Sequence, residues 1–170
     1  MVTGYFGAPI EETARKLAAD KAFAYLSLDE EIVLRDGRSI GRLSMMAGEH
    51  SYRNQEYEIL SEIDEDPEKF FASKDIPAET KGLVIACSDG VLYDEMSRDI
   101  ALANKLIVTG EDMTGDALWE NARTISGTYH AFMHFGTDEE RRQAFDNYID
   151  RQRLLFDSVK QPAERSRRSK

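Results

Sequence analysis

Cysteine is almost missing from this 170-residue sequence. Cys87 stands alone, so no internal disulfide can form, and the chain suits a reducing cytoplasm. Long apolar runs are missing too. None approaches the ~18 residues of a membrane span. The first residues show no basic stretch followed by an apolar one, as a secretory signal would. Positive charge is scarce: 22 Lys and Arg stand against 32 Asp and Glu, a formal net charge of −10. An acidic body repels nucleic acid and anionic membrane, so neither is expected as a partner. Internal repeats, linkers and low-complexity segments are absent before the last residues. Those last residues are the exception to the acidity. Lys160, Arg165, Arg167, Arg168 and Lys170 face one acid, Glu164. A short charged end of this kind is expected to be solvated and disordered, which leaves one domain over residues 1–160 and a basic tail over 161–170.

What is present is enough for one core. A domain of about 150 residues buries roughly 68–70% of its unfolded surface, and 41% of this chain is hydrophobic. Short apolar runs alternate with amphipathic stretches. Strands are predicted at residues 1–6, 22–28, 82–87 and 105–109. Helices are predicted at 10–21, from Asp29 to about Asp36, from the N-cap Ser39 to about Ile63, and at 92–103, 117–124 and 138–159. Residues 62–74 read as an acidic loop with a helical turn, and 125–136 as a connection rich in Gly and His. Strands alternating with helices argue for a parallel sheet covered on both faces, a three-layer α/β fold.

Four segments, in order, resemble the shikimate kinase family, which has a P-loop kinase fold. GYFGAPIEETARKLA (residues 4–18) is similar to the family's phosphate loop and first helix, GFMGAGKSTVGRKLA. AYLSLDEEIVLRDGRSIGRL (24–43) is similar to a strand ending in Asp-x-Asp followed by a GxSI helix start. GEHSYRNQEYEIL (48–60) is similar to GExxFRxxExxxL. VIACSDGVL (84–92) stands where the family has a strand and a triple glycine. The end, RQRLLFDSV, is similar to ERxPLYxxxA. The resemblance runs over about residues 1–159. Only Met1, Val2 and Thr3 precede Gly4, which fits either a short central strand or a start further upstream.

The phosphate loop departs from its pattern at each chemical position. In G-x-x-x-x-G-K-[S/T], backbone N–H groups cradle phosphate, the Lys neutralises it, and the hydroxyl binds Mg²⁺. Gly4 and Gly7 remain. Pro9 takes the second glycine's place and has no N–H. Ile10 takes the Lys place and brings no charge. Glu11 replaces the hydroxyl residue with a carboxylate. The residues by themselves read as an ordinary helix start, with Pro9 near the first position and Glu11 and Glu12 on the positive end of the dipole.

At the end of the second strand, Ser27 stands in the first Asp place and Asp29 in the second. The resemblance implies that the first faces the metal and the second holds a substrate hydroxyl near the transferred phosphoryl. From the residues alone, Asp29 suits a helix N-cap equally well. Arg53 and Glu56 match Arg-x-x-Glu, in which the resemblance implies an Arg gripping the shikimate carboxylate and a Glu orienting it. Their spacing alone makes a surface i,i+3 salt bridge. Cys87, Ser88 and Asp89 fill the triple-glycine place, and Cys87 by itself reads as a buried strand-end thiol.

In the lid, His130 stands where the resemblance places a phosphate-contacting Arg, and Arg123 matches a lid-edge Arg over adenine. Near the C-terminus, Gln152 takes the place of a carboxylate-binding Arg, with Arg151 and Arg153 on either side. Adjacent helix residues point about 100° apart, so neither neighbour reaches the same spot unaided. His130 and His134 lie i,i+4 and could share a helix face, but no third ligand is close in sequence and no metal site is expected. His50 reads as a polar-face residue.

Three functions are consistent with these residues. The first is a non-catalytic or altered shikimate kinase relative, linked to aromatic amino acid biosynthesis, with Asp29, Arg53, Glu56, Arg151 and Arg153 as a remnant pocket for shikimate or a similar small carboxylate, or acting through another protein. It implies no cofactor. The second is a working shikimate kinase, using ATP and Mg²⁺ to phosphorylate the 3-hydroxyl with Asp29 as the catalytic group. The third is a kinase-fold enzyme with another substrate or nucleotide mode. A cytoplasmic location fits all three.

Overall fold

A computed structural model describes residues 1–160. The expected basic tail, 161–170, lies outside the described residues. The elements in chain order are β1 (Val2–Gly4), α1 (Ile10–Lys21), β2 (Ala24–Ser27), α2 (Leu28–Asp36), α3 (Ile40–Glu65), α4 (Pro67–Ser73), β3 (Leu83–Ala86), α5 (Glu95–Ala103), β4 (Ile107–Thr109), α6 (Gly115–Ala122) and α7 (Asp138–Lys160). Single 3₁₀ turns stand at Val91–Tyr93 and Ala131–Met133.

The four strands form one parallel sheet in the order β2-β3-β1-β4. Alternation along β3 assigns its faces. Val84 and Ala86 join Val2 with Ala14 and Ala18 of α1, small residues that let this helix lie close to the sheet. Ile85 and the following Cys87 join the larger cluster on the other face, with Leu28, Tyr52, Leu60, Phe145 and Phe156. Apolar cores on both faces make the expected αβα layering.

Several boundaries differ from the sequence reading. Residues 62–74 are not a loop: α3 runs to Glu65 and α4 follows, capped by Asp66, whose side chain accepts from the N–H of Lys69 at 3.0 Å. The long helix after Ser39 is two helical arms, because Gly48 has φ 83° and ψ 163°. Ser39 caps it as expected, through the N–H of Arg42. The helix expected from residue 92 begins instead at Glu95, after the 3₁₀ turn, where Asp94 provides the cap.

Topology fixes the site. The chain leaves β1 towards β2 on one side, while the connection from β3 crosses to β4 on the other. The strands' C-terminal ends therefore open a crevice between β1 and β3, the usual ligand position in open parallel sheets. Among the described residues, no helix is long and apolar enough to cross a membrane.

Candidate functional site

A cleft of about 530 Å³ lies over that crevice. The loop after β1 forms one wall, Asp29 and Ile40 another, Cys87 to Asp89 the floor, and residues 125–129 the roof. Glu11, Glu12, Asp29 and Asp89 all line it, and among the described residues no Lys or Arg does.

The loop is held from inside the protein. The Tyr5 N–H donates to the Thr109 carbonyl at 3.2 Å, Ala8 N–H to Tyr5 O at 2.8 Å, and Ile10 N–H to Ala8 O at 2.9 Å. The Phe6 N–H donates to Oε1 of Gln152 at 3.0 Å. Pro9 is the N-cap of α1 and has no N–H to offer. The glycines are explained by packing. A Cβ on Gly4 would sit 2.3 Å from Oγ1 of Thr109, and one on Gly7, at φ +93°, would sit 2.1 Å from the Leu118 carbonyl. Nδ2 of Asn121 donates to the Gly7 carbonyl at 3.0 Å.

Glu11 reaches across to β2. Its Oε1 accepts from the Ser27 hydroxyl at 2.6 Å and its Oε2 from the Tyr25 hydroxyl. Burial raises the Glu11 carboxyl above its ordinary value, with Glu30 adding to the rise, and the Ser27 hydrogen bond and Arg15 acting against it. Ser27 also caps α2 through the Glu30 N–H. The N-cap role open to Asp29 in the sequence therefore falls to Ser27. Asp29 lies in the first turn, faces the cleft and accepts from the Tyr52 hydroxyl at 2.6 Å. Burial, with the charges of Glu56, Glu11 and Asp89, pushes its carboxyl up to about 7 against the Tyr52 hydrogen bond. This carboxyl can accept or donate a hydrogen bond near neutral pH.

Arg53 and Glu56 are not a surface pair. Glu56 is 0% exposed, and the two form a buried ion pair at 2.5 Å. Arg53 Nη1 also donates to the Ser88 hydroxyl at 2.6 Å, Nη2 to Glu49 at 3.3 Å, and the guanidinium lies over the Tyr129 ring. Neither Arg53 nor Glu56 lines the cleft. The side chain at Ser88 takes up the arginine that the sequence offered to an external carboxylate. Cys87 is a buried thiol, pushed up to about 12 by burial.

Asp89 is the hub of the floor. Its Oδ1 accepts from the Tyr129 hydroxyl at 2.9 Å and its Oδ2 from the Tyr148 hydroxyl at 2.8 Å. His130 Nε2 lies 3.0 Å from Oδ2, and Gln152 Nε2 donates to it at 3.3 Å. Burial alone would raise the Asp89 carboxyl. The charge and hydrogen bond of His130, the charge of Arg53 and the Tyr148 hydroxyl outweigh it and hold the carboxyl below its ordinary value.

The other residues named from the sequence lie apart from the cleft. His130 is 3% exposed, packed between the Phe6, Tyr129 and Phe132 rings. His134 Nε2 turns to the Thr128 carbonyl at 2.8 Å, and the backbone between the two histidines is a 3₁₀ turn, so they share no helix face. Arg123 is exposed beside Glu120. Arg151 lies over the outer side of Tyr148, and Arg153 pairs with Asp150 on the surface. Gln152, at 0% exposed, is the residue of that trio that points inward. His50 is exposed on α3 beside Asn54. Sequence reasoning did not single out Tyr52, Tyr129 or Tyr148. Their roles come from contacts between distant segments, and no local spacing signals them.

No family model matches this chain. Among curated proteins, the shikimate kinase of Aromatoleum aromaticum (strain DSM 19018 / LMG 30748 / EbN1) is 26% identical over 123 residues, covering 72% of this chain and 62% of the relative. The chain thus matches less than two thirds of that relative's length. Solved structures align over most of the fold. The Acinetobacter baumannii shikimate kinase in complex with shikimate has a TM-score of 0.71 at 16% identity, covering 93% of this chain and 77% of that one. The Aquifex aeolicus shikimate kinase has a TM-score of 0.65 at 17% identity, covering 92% and 80%. The shikimate kinase from Bacteroides thetaiotaomicron gives 0.66 at 16%, covering 91% and 79%. This chain has the αβα fold of the shikimate kinases, a P-loop kinase fold.

Proposed function

We propose that this chain is a shikimate-kinase-like domain that does not transfer phosphate and that binds a small hydroxylated molecule in its cleft, with Asp29 as the hydroxyl partner. The observation that carries the first half is the state of the loop after β1. The N–H groups of Tyr5, Phe6, Ala8 and Ile10 already have acceptors within the protein. The Glu11 carboxylate, joined to Ser27, stands where the resemblance placed a metal-binding hydroxyl. Two like charges about 4 Å apart repel by roughly 4 kcal/mol at an effective dielectric near 20. These residues do not fit a triphosphate with its Mg²⁺, and no chemical step is derived through one.

The lining decides the ligand's charge. With four carboxyl groups and, among the described residues, no Lys or Arg on its walls, the cleft favours a neutral ligand over an anion. This departs from the carboxylate-binding pocket expected from the sequence, because Arg53 is engaged by Glu56 and Ser88. Shikimate is the ligand held in the Acinetobacter baumannii structure. It sets the size and hydroxyl pattern to test, and its methyl ester provides the neutral counterpart.

Active shikimate kinase is the second reading, and Asp29 favours it. A cleft carboxyl with its pKa raised to about 7 is poised to accept a hydroxyl proton. Calorimetry separates the two. The expected result is no heat with Mg-ATP, and binding of shikimate methyl ester at least as tight as that of shikimate, weakened in Asp29→Ala. Micromolar Mg-ATP affinity, or ADP release dependent on shikimate, overturns the non-catalytic reading. Shikimate binding much tighter than ester binding, and lost when Arg53→Met is paired with Glu56→Leu, overturns the neutral-ligand reading.

A further inference from the structure

The buried carboxylate of Asp89 is surrounded in a way that a merely structural acid does not require. Four side chains from two segments converge on two oxygens: Tyr129 and His130 from the connection before α7, and Tyr148 and Gln152 from α7. These four residues lie 40 to 63 positions away in sequence. Each is buried, with Gln152 at 0% exposed and His130 at 3%. The cage is aromatic on its remaining sides, where Phe6 packs 4.1 Å from the His130 ring. Charge-assisted hydrogen bonds in such a setting are the strong ones. The cage also opens towards the cleft, because Asp89 and Tyr129 both line it.

We propose that Tyr129, His130, Tyr148 and Gln152 form a carboxylate-binding site that the chain fills with its own Asp89 side chain, and that this internal ligand clamps the loop after β1 to residues 125–136. The clamp follows from Gln152. Its Nε2 donates to the Asp89 carbonyl at 2.8 Å, while its Oε1 accepts the Phe6 N–H at 3.0 Å. The His130 ring, bonded to Asp89, packs at a tilt of 47° against the Phe6 ring. Asp89, through its carboxylate and its carbonyl together, thus ties the floor, roof and loop of the cleft. The proposal holds whichever reading of the cleft is correct.

Chemical rescue tests it. Asp89→Ala removes the internal carboxylate and leaves a space lined by its four donors. Its Tm is expected to fall by roughly 10 °C. Formate, then acetate, should restore part of that loss in a saturable way, by mass action on the folded state. Chloride at equal ionic strength should not, and the natural chain should respond to none of these salts specifically. Equal effects of formate and chloride on Asp89→Ala overturn the proposal. If that variant does not fold, Asp89→Asn serves, since an amide keeps the volume and loses the charge. Hydrogen exchange at residues 125–136 is then expected to quicken by about tenfold or more, with β1 and β3 unchanged. Unchanged exchange there overturns the clamp.

Discussion

The Ser27 hydroxyl donates a 2.6 Å hydrogen bond to the Glu11 carboxylate, joining the end of β2 to the first turn of α1. The resemblance places a carboxylate on the strand and a hydroxyl on the helix. Here the two residue types are exchanged, and the exchanged pair satisfies itself.

A double-mutant cycle should reveal that coupling. Ser27→Asp keeps a side chain that can cap α2, but sets it against Glu11 and should cost roughly 1–3 kcal/mol. Glu11→Thr alone should cost about 1 kcal/mol. Together they should cost less than the sum, by about 0.5–3 kcal/mol. Urea unfolding of the four proteins measures the coupling, and strict additivity contradicts it.

Arg53→Ala should destabilise the fold by about 3–5 kcal/mol, because it strands the Glu56 carboxylate in the core. Pairing Arg53→Met with Glu56→Leu should recover most of that loss, since a matched apolar pair leaves no buried charge. Ester affinity at the cleft should hardly change in the doubly substituted protein, which calorimetry can check.

Asp29 and Asp89 should give opposite pH dependences. Asp29 is raised from 3.8 to about 7 on folding. Between these values the folded state holds the extra proton, so stability falls as pH rises, by up to about 1.4 kcal/mol per pH unit. Asp29→Asn abolishes this titration and should gain on the natural chain over that interval. Asp89 is lowered from 3.8, so its contribution is present above 3.8 and lost as pH falls through the lower folded value. Asp89→Asn should therefore lose most at neutral pH. Thermal melts across the acid range read both signs.

Gly7→Ala should cost roughly 2 kcal/mol or more, since φ is +93° and the added Cβ would meet the Leu118 carbonyl. That cost should appear in the absence of any nucleotide. A neutral substitution would mean that the loop is not held by α6.

The sequence by itself determined the frame. Short continuous apolar runs between amphipathic stretches specify buried parallel strands and covering helices, and Ser39 marks its helix start through purely local chemistry. That residues 9–11 carry neither a lysine nor a hydroxyl was equally legible, because identity alone decides whether a donor or a charge is available. Only the tertiary structure decided where the remaining polar groups spend their hydrogen bonds. Arg53 could have met an outside carboxylate, and instead meets Ser88, 35 residues away. Gln152 could have been the gap in a site, and instead joins Asp89 to the loop across 63 residues of chain. Asp29 lost its cap role to Ser27, two positions earlier, because the helix begins at Leu28. Buried polar groups must find partners, and sequence spacing does not encode which of several distant ones the packing brings within 3 Å.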